Sequence, residues 1–180
     1  MTIADGQRAA DLLDEGEPEV EFFAGVAGRM PRKRVAAGAV LHDGAGRLLL
    51  VEPRYKPTWD IPGGIAEADE SPLDACRREL AEELGLHLPV HRLLVVDWVP
   101  QQGVWHDAVL FVFDGGVIAP GLLDTVTLPD DELAAVRLVG LDDAAGHLRP
   151  SSLRRLRVAL DLATRGGPPA YLQFGRHARG

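Results

Sequence analysis

Two short, mostly apolar runs, residues 35–41 and 47–52, flank the turn-forming residues Asp43, Gly44, Ala45 and Gly46. That pattern predicts two strands joined as a hairpin. A long loop, residues 53–68, follows and holds Pro53, Pro57, Pro62, Gly63 and Gly64. Loops of that length inside a small domain are usually functional. Between Ser71 and Gly85 the apolar residues Leu73, Cys76, Leu80 and Leu84 recur at helical spacing. Ser71 suits an N-cap, Pro72 the first helical position, Asp74 a capping box and Gly85 the residue past the end, so a helix over 72–84 is expected. Residues 92–99 and 108–113 read as further strands, with Asp114, Gly115 and Gly116 as a turn. Short strands are expected near 125–127 and 135–139. A last helix should run from Ser151 or Ser152 to about Thr164, stopped by Gly166 and Gly167. Strands and helices mixed without strict alternation predict an α/β fold, a mixed β-sheet sandwiched by helices.

Composition narrows the class of molecule. With 46% hydrophobic and 26% charged residues, the 180-residue chain has the makings of one globular domain with extensions. No apolar run approaches the ~20 residues that span a bilayer, so no membrane role is expected. The amino terminus has no positively charged segment leading into an apolar one, and Cys76 is the sole cysteine, so a cytoplasmic protein is the expectation. A net charge of −8 argues against nucleic acid as a partner, because backbone binding needs a cationic surface. It leaves room for an enzyme acting on small phosphates if metal ions supply the positive charge.

The helix over 72–84 carries the strongest chemical signal. On a helical wheel Glu79, Glu82 and Glu83 share one sector of about 100° beside the apolar stripe. Two carboxylates ~6 Å apart repel by roughly 3 kcal/mol at an effective dielectric of 20. Arg78 can reach Glu82, but Glu79 and Glu83, four apart, carry the same sign. Divalent cations would relieve this crowding, and oxygen-only donors suit Mg²⁺ (or Mn²⁺) rather than zinc. Gly63 and Gly64 let the backbone come close, so that a main-chain carbonyl can join the ligands.

Gly64, Glu70, then Arg78, Glu79, Leu80, Ala81, Glu82, Glu83, Leu84, Gly85 and Leu86 together resemble the Nudix box with no departure. The resemblance implies a Nudix hydrolase on an α/β/α sandwich, cleaving a nucleoside diphosphate linked to another moiety with Mg²⁺ or Mn²⁺. It implies that Glu82 and Glu83 ligate metal directly, with the Gly64 carbonyl as a further ligand. Glu79 would be a ligand or the group that activates the nucleophile. Arg78 would orient a helix glutamate, Glu70 would buttress the loop, and Gly85 would end the helix. By the same resemblance Asp131 or Glu132, in an acidic cluster on a distant loop, is a candidate base.

Substrate marks are sparse. Arg54, Lys56 and Trp59, with Gly63, are candidate substrate-binding residues on the long loop. Pro100, fifteen residues past Gly85, matches a position where ADP-ribose pyrophosphatases tend to carry proline. A MutT-like nucleoside triphosphate pyrophosphatase is the enzymatic alternative. A catalytically silent nucleotide-binding regulator is the non-enzymatic one, though such domains usually lose box glutamates. An isopentenyl diphosphate isomerase is disfavoured because Cys76 falls inside the box helix. Cys76 is expected to pack in the core, and Trp98 and Trp105 to pack within a hairpin. The chain is expected to divide into an acidic extension (1–33), a catalytic domain (34–148) and a carboxy-terminal helix and tail (149–180). The partner is a small-molecule nucleotide substrate. A homodimer is an open expectation, with residues 25–34 or 170–174 as candidate interfaces.

Overall fold

A computed structural model of the chain describes residues 3–17, 19–90, 92–119, 121–128 and 132–178. It divides into two compact units, Met1–Arg32 and Lys33–Gly180. In the first, α1 (Ile3–Asp14) precedes the short α2 (Val26–Arg29). There the Glu21 carboxylate accepts the N–H groups of Gly25 (2.6 Å) and Ala27 (2.9 Å) and so covers donors at the start of α2.

The second unit is built on one mixed sheet. Its strands are β1 (Arg34–His42), β2 (Arg47–Pro53), β3 (Gly63–Ile65), β4 (Leu93–Val99), β5 (Ala108–Val117), β6 (Leu133–Gly140), β7 (Ala170–Gln173) and β8 (Arg176–His177). They lie in the order β6-β2-β1-β5-β4-β7-β8, with β3 paired to β1. The β1–β5 and β4–β7 pairs are parallel and the others antiparallel. Alternate side chains of the central strands serve two cores, as the period of two requires. Ala37, Ala39, Leu41, Leu49 and Val51 pack with Cys76, Leu80 and Leu84 of α3 (Pro72–Leu84). Val40, Leu48, Leu50, Leu94 and Val112 pack with Leu156 and Ala159 of α4 (Pro150–Arg165). The expected α/β/α sandwich is present.

The N-cap and the glycine end of α3 are as the sequence predicts, whereas the Asp74 carboxylate accepts the Ser71 hydroxyl (2.6 Å) instead of closing a capping box on the Ser71 N–H. The Ser71 hydroxyl accepts the Asp74 N–H (3.1 Å), a cap worth ~1 kcal/mol. Gly85 ends the helix in the left-handed region (φ 68°, ψ 20°), and the Leu86 N–H returns to the Leu80 carbonyl (3.1 Å).

Four local expectations need correction. The 53–68 loop contains β3, whose Gly63, Gly64 and Ile65 pair with Gly38, Ala37 and Ala36. β5 runs on through Asp114, Gly115 and Gly116 because β1 continues to pair with it, Val40 with Asp114 and Leu41 with Gly116, whereas β4 begins opposite Phe113. The turn-like residues serve a bulge opposite Val40 and Leu41 instead, where a Cβ at Gly115 would come within 2.8 Å of Leu41 Cγ. Residues 122–125 form a 3₁₀ turn (Leu122–Thr125) rather than a strand, and Leu122, Val126 and Leu128 pack singly against the α3-side core. Finally, α4 starts at Pro150, ahead of the serines, since proline fits the first helical position.

The carboxy-terminal residues complete the sheet. Phe174 (φ 55°) and Gly175 (φ 74°) form the tight turn between β7 and β8. Asp97 of β4 is wholly buried; its carboxylate accepts Arg155 Nε (2.7 Å) from α4 and the Gly175 N–H (3.0 Å) from that turn.

Candidate active site

α3 lays its middle and last turns beside β3, through Arg78, Glu79 and Glu83, and the site lies along that seam. Arg78 is its hub. Its guanidinium grips Glu70 in two-pronged fashion (2.9 and 3.0 Å). It also donates to Glu79 (2.9 Å), Glu82 (2.9 Å) and the Ile65 carbonyl of β3 (3.1 Å). Glu70 in turn accepts the Glu67 N–H (2.9 Å), so one arginine ties the loop before α3, the edge of β3 and two helix carboxylates together. The Arg78 hydrogen bonds hold the Glu70 carboxyl below the usual range.

The three helix glutamates occupy different environments. Glu83 is buried at 8% exposure, and its Oε2 accepts the Gly63 N–H (2.9 Å). Burial pushes its carboxyl up to about 7, against that hydrogen bond, and the nearby charges of Glu79, Glu132 and Asp60 push the same way. Glu79 is also raised, first by burial and then by Glu82 and Glu132, while Arg78 opposes the rise. Glu82 is the outermost, its side chain 60% exposed on Arg78.

Glycine is required on the facing loop for two reasons. Gly63 adopts φ 146°, and a side chain there would collide with the Ala37 carbonyl and the Gly38 backbone. At Gly64 a Cβ would land on the Glu79 carboxylate, so the absent side chain is the cradle in which that carboxylate lies. A cleft of about 470 Å³ opens alongside, lined by Arg34, Ile65, Glu67, Glu70, Pro72 and Phe111 among others.

Among the described residues, no three His, Cys, Asp or Glu side chains are gathered into a ready cage for an ion. The donors nonetheless fit a hard divalent cation. All are oxygens, Glu79 and Glu83 are held where bare negative charge is disfavoured, and the Gly64 cradle brings main chain against carboxylate.

The remaining sequence candidates lie as follows. Glu132 stands close enough to Glu79 and Glu83 to shift both, whereas Asp131 lies outside the described residues. Arg54 turns to the start of β6, donating from Nε to the Leu133 carbonyl (3.2 Å). Lys56 pairs with Asp60 (3.0 Å). Trp59 stacks on His147, ring centroids 3.9 Å apart and planes 5° from parallel, with the Arg137 guanidinium 5.0 Å from its ring. Cys76 is a core residue, its thiol pushed up to about 12 by burial. Trp98 is half-buried and donates to Asp107 (3.2 Å). Trp105, expected to pack, is instead exposed beneath Arg34, because it sits in the loop before β5 rather than on a strand. Sequence reasoning missed Asp60, although it stands three residues before Gly63. It also missed His147 and Arg137, which no local pattern links to the loop.

Comparison with known proteins places the chain in a family. Residues 32–159 match the NUDIX domain family. A MutT-like protein of Streptomyces ambofaciens is 34% identical over 127 residues, covering 63% of this chain and 79% of its own. Phosphatase NudJ of Shigella boydii is 31% identical over 134 residues, 72% of this chain and 81% of its own. The crystal structure of a MutT NUDIX hydrolase from Burkholderia pseudomallei superposes with a TM-score of 0.59 at 27% identity, over 73% of this chain and 98% of its own. With the box on α3, the glycine turn of β3 and the mixed sheet between helix layers all in place, the chain belongs to the Nudix family as a MutT-like hydrolase.

Proposed function

We propose that the protein hydrolyses the diphosphate bond of a nucleoside diphosphate linked to another moiety, ADP-ribose-like or a nucleoside triphosphate, with Mg²⁺ or Mn²⁺. The observation that carries the reading is the buried Glu83, raised to about 7 beneath the Gly63 N–H and surrounded by the charges of Glu79, Glu132 and Asp60. Such a group is held at a cost that a divalent cation would offset.

In this reading Glu82, Glu83 and the Gly64 carbonyl are the principal ligands, with Glu79 a further ligand or the group that takes the proton from water. A bound ion would polarise phosphoryl oxygens and make water a better nucleophile. Arg78 orients Glu79 and Glu82 through its hydrogen bonds, and Glu70 fixes Arg78. Gly85 ends the helix so that Leu86 returns to the core. Glu132 is the second candidate for the proton acceptor, on the strength of its closeness to both helix carboxylates. Lys56, freed from Asp60, and Arg54 are the cations placed on the loop for substrate phosphates; Trp59 serves through its hold on that loop.

The test is a metal-dependent screen of nucleoside diphosphate derivatives and nucleoside triphosphates, with AMP, phosphate and pyrophosphate read separately. Turnover that requires Mg²⁺ or Mn²⁺ and vanishes in Glu83→Gln supports the reading. Tight nucleotide binding without turnover would favour a regulatory domain instead.

A further inference from the structure

From the geometry we infer that His147 is a positioning residue for the glycine turn, acting through Trp59. The turn must be held accurately, because Gly63 donates to Glu83 and Gly64 lies against Glu79. On its far side the chain is fixed by the Ala66 N–H donating to the Val35 carbonyl (3.0 Å), and just before the glycines the Pro62 carbonyl accepts the Ala39 N–H (3.1 Å). On its near side Asp60 exchanges two backbone hydrogen bonds with Val51 (2.8 and 3.1 Å). Trp59 is the next residue out, and it is clamped at two points by one residue. Its N–H donates to the His147 carbonyl (2.9 Å), and its ring stacks on the His147 imidazole.

The clamp stands on firm ground at both ends. His147 belongs to the turn between β6 and α4, where its own N–H reaches the Ala144 carbonyl (2.9 Å) and its neighbours Ala144 and Leu148 are buried in the α4-side core. Arg137 lies against the Trp59 ring and is itself held by Glu52 (2.6 Å). The His147 side chain is exposed although its ring is engaged. Replacing it therefore removes the stack while taking nothing from the core, so positioning and stability separate. If losing the stack lowers the fraction of chains with a correctly set turn to about 0.1–0.2, apparent metal affinity falls five- to tenfold, and saturating metal restores turnover.

Two measurements on the full chain decide the matter; the metal measurement rests on the proposed function, and the exchange measurement does not. In metal-free protein, His147→Ala is expected to speed amide hydrogen exchange across residues 60–65 about five- to tenfold, with residues 75–84 and Tm nearly unchanged. His147→Phe, which keeps a flat ring, should stay near wild type. Mn²⁺ titration should show the matching rise in half-saturating concentration for His147→Ala, with kcat recovered at saturation. Unchanged exchange at 60–65 in His147→Ala, or exchange equally fast in His147→Phe, overturns the inference. If wild type binds no Mn²⁺, the functional reading fails and the exchange result still decides the role of His147.

Discussion

The carboxylate of Glu83 accepts the backbone N–H of Gly63 at 2.9 Å, joining α3 to β3 across twenty residues of sequence. This bond keeps an otherwise buried acid in place beside the glycine turn. Glu83→Gln retains an oxygen to accept that N–H but loses the charge. It should therefore lower kcat by at least ~100-fold, the scale of removing a principal electrostatic group, while circular dichroism and Tm stay close to wild type. Near wild-type metal-dependent turnover in a folded variant would remove Glu83 from the machinery.

The two glycines should fail differently. Gly63→Ala forces a side chain into backbone atoms of β1 at a left-handed φ, so its main effect is on stability, at least ~2 kcal/mol by analogy with overpacking. Gly64→Ala meets a side chain, the Glu79 carboxylate, which can move aside. It should melt nearer to wild type yet lose metal-dependent activity. Thermal melts and assays of the pair check this ordering, and equal loss of stability would contradict it.

Metal should stabilise the fold as well as support turnover. Mg²⁺ or Mn²⁺ at 100 times its Kd contributes about 2.7 kcal/mol if it binds only the native state. A Tm that rises with metal concentration and returns on chelation is the expected result. The shift should shrink in Glu83→Gln, where one charge of the cluster is gone.

Glu70 gives stability an acid limb of known sign. Its folded-state carboxyl is held below the ordinary value of 4.5, chiefly by Arg78 hydrogen bonds. The contribution is thus complete above pH 4.5 and is lost as pH falls through the depressed native value. Glu70→Gln should lower Tm at pH 7 and show a smaller further fall on acidification. Parallel Tm–pH curves for the two proteins would show that Glu70 carries none of the limb.

Asp97 and Arg155 form a buried pair whose disruption should be costly. Asp97→Ala leaves Arg155, 8% exposed, without its carboxylate and strips the Gly175 N–H of its acceptor. A loss of about 3–5 kcal/mol in denaturant unfolding is expected.

Sequence alone made the chemistry of α3 readable because its parts are local. Caps, stripe and acids all fall within one helix, and Ser71, Gly85 and the glutamates lie where their spacing puts them. What it hid depends on partners distant along the chain. Asp114, Gly115 and Gly116 look like a turn until β1 is known to run beside them. Residues 170–173 look like a tail until β4 offers them an edge. Lys56 looks like a free cation until Asp60 is beside it, and Trp59 like an open stacking surface until His147 covers a face. Burial likewise separated three glutamates that look equivalent on a wheel: Glu83 inside, Glu82 outside, Glu79 between.

The lateness of β7 bears on how the polypeptide is made. β4 is synthesised some seventy residues before the strand that pairs with its outer side, and α4 must be laid down in between. A nascent or prematurely terminated chain would carry the whole Nudix box yet leave the backbone donors and acceptors of β4 open to any neighbouring polypeptide. Shortening this protein to its motif-bearing portion would therefore invite clumping rather than yield a minimal enzyme.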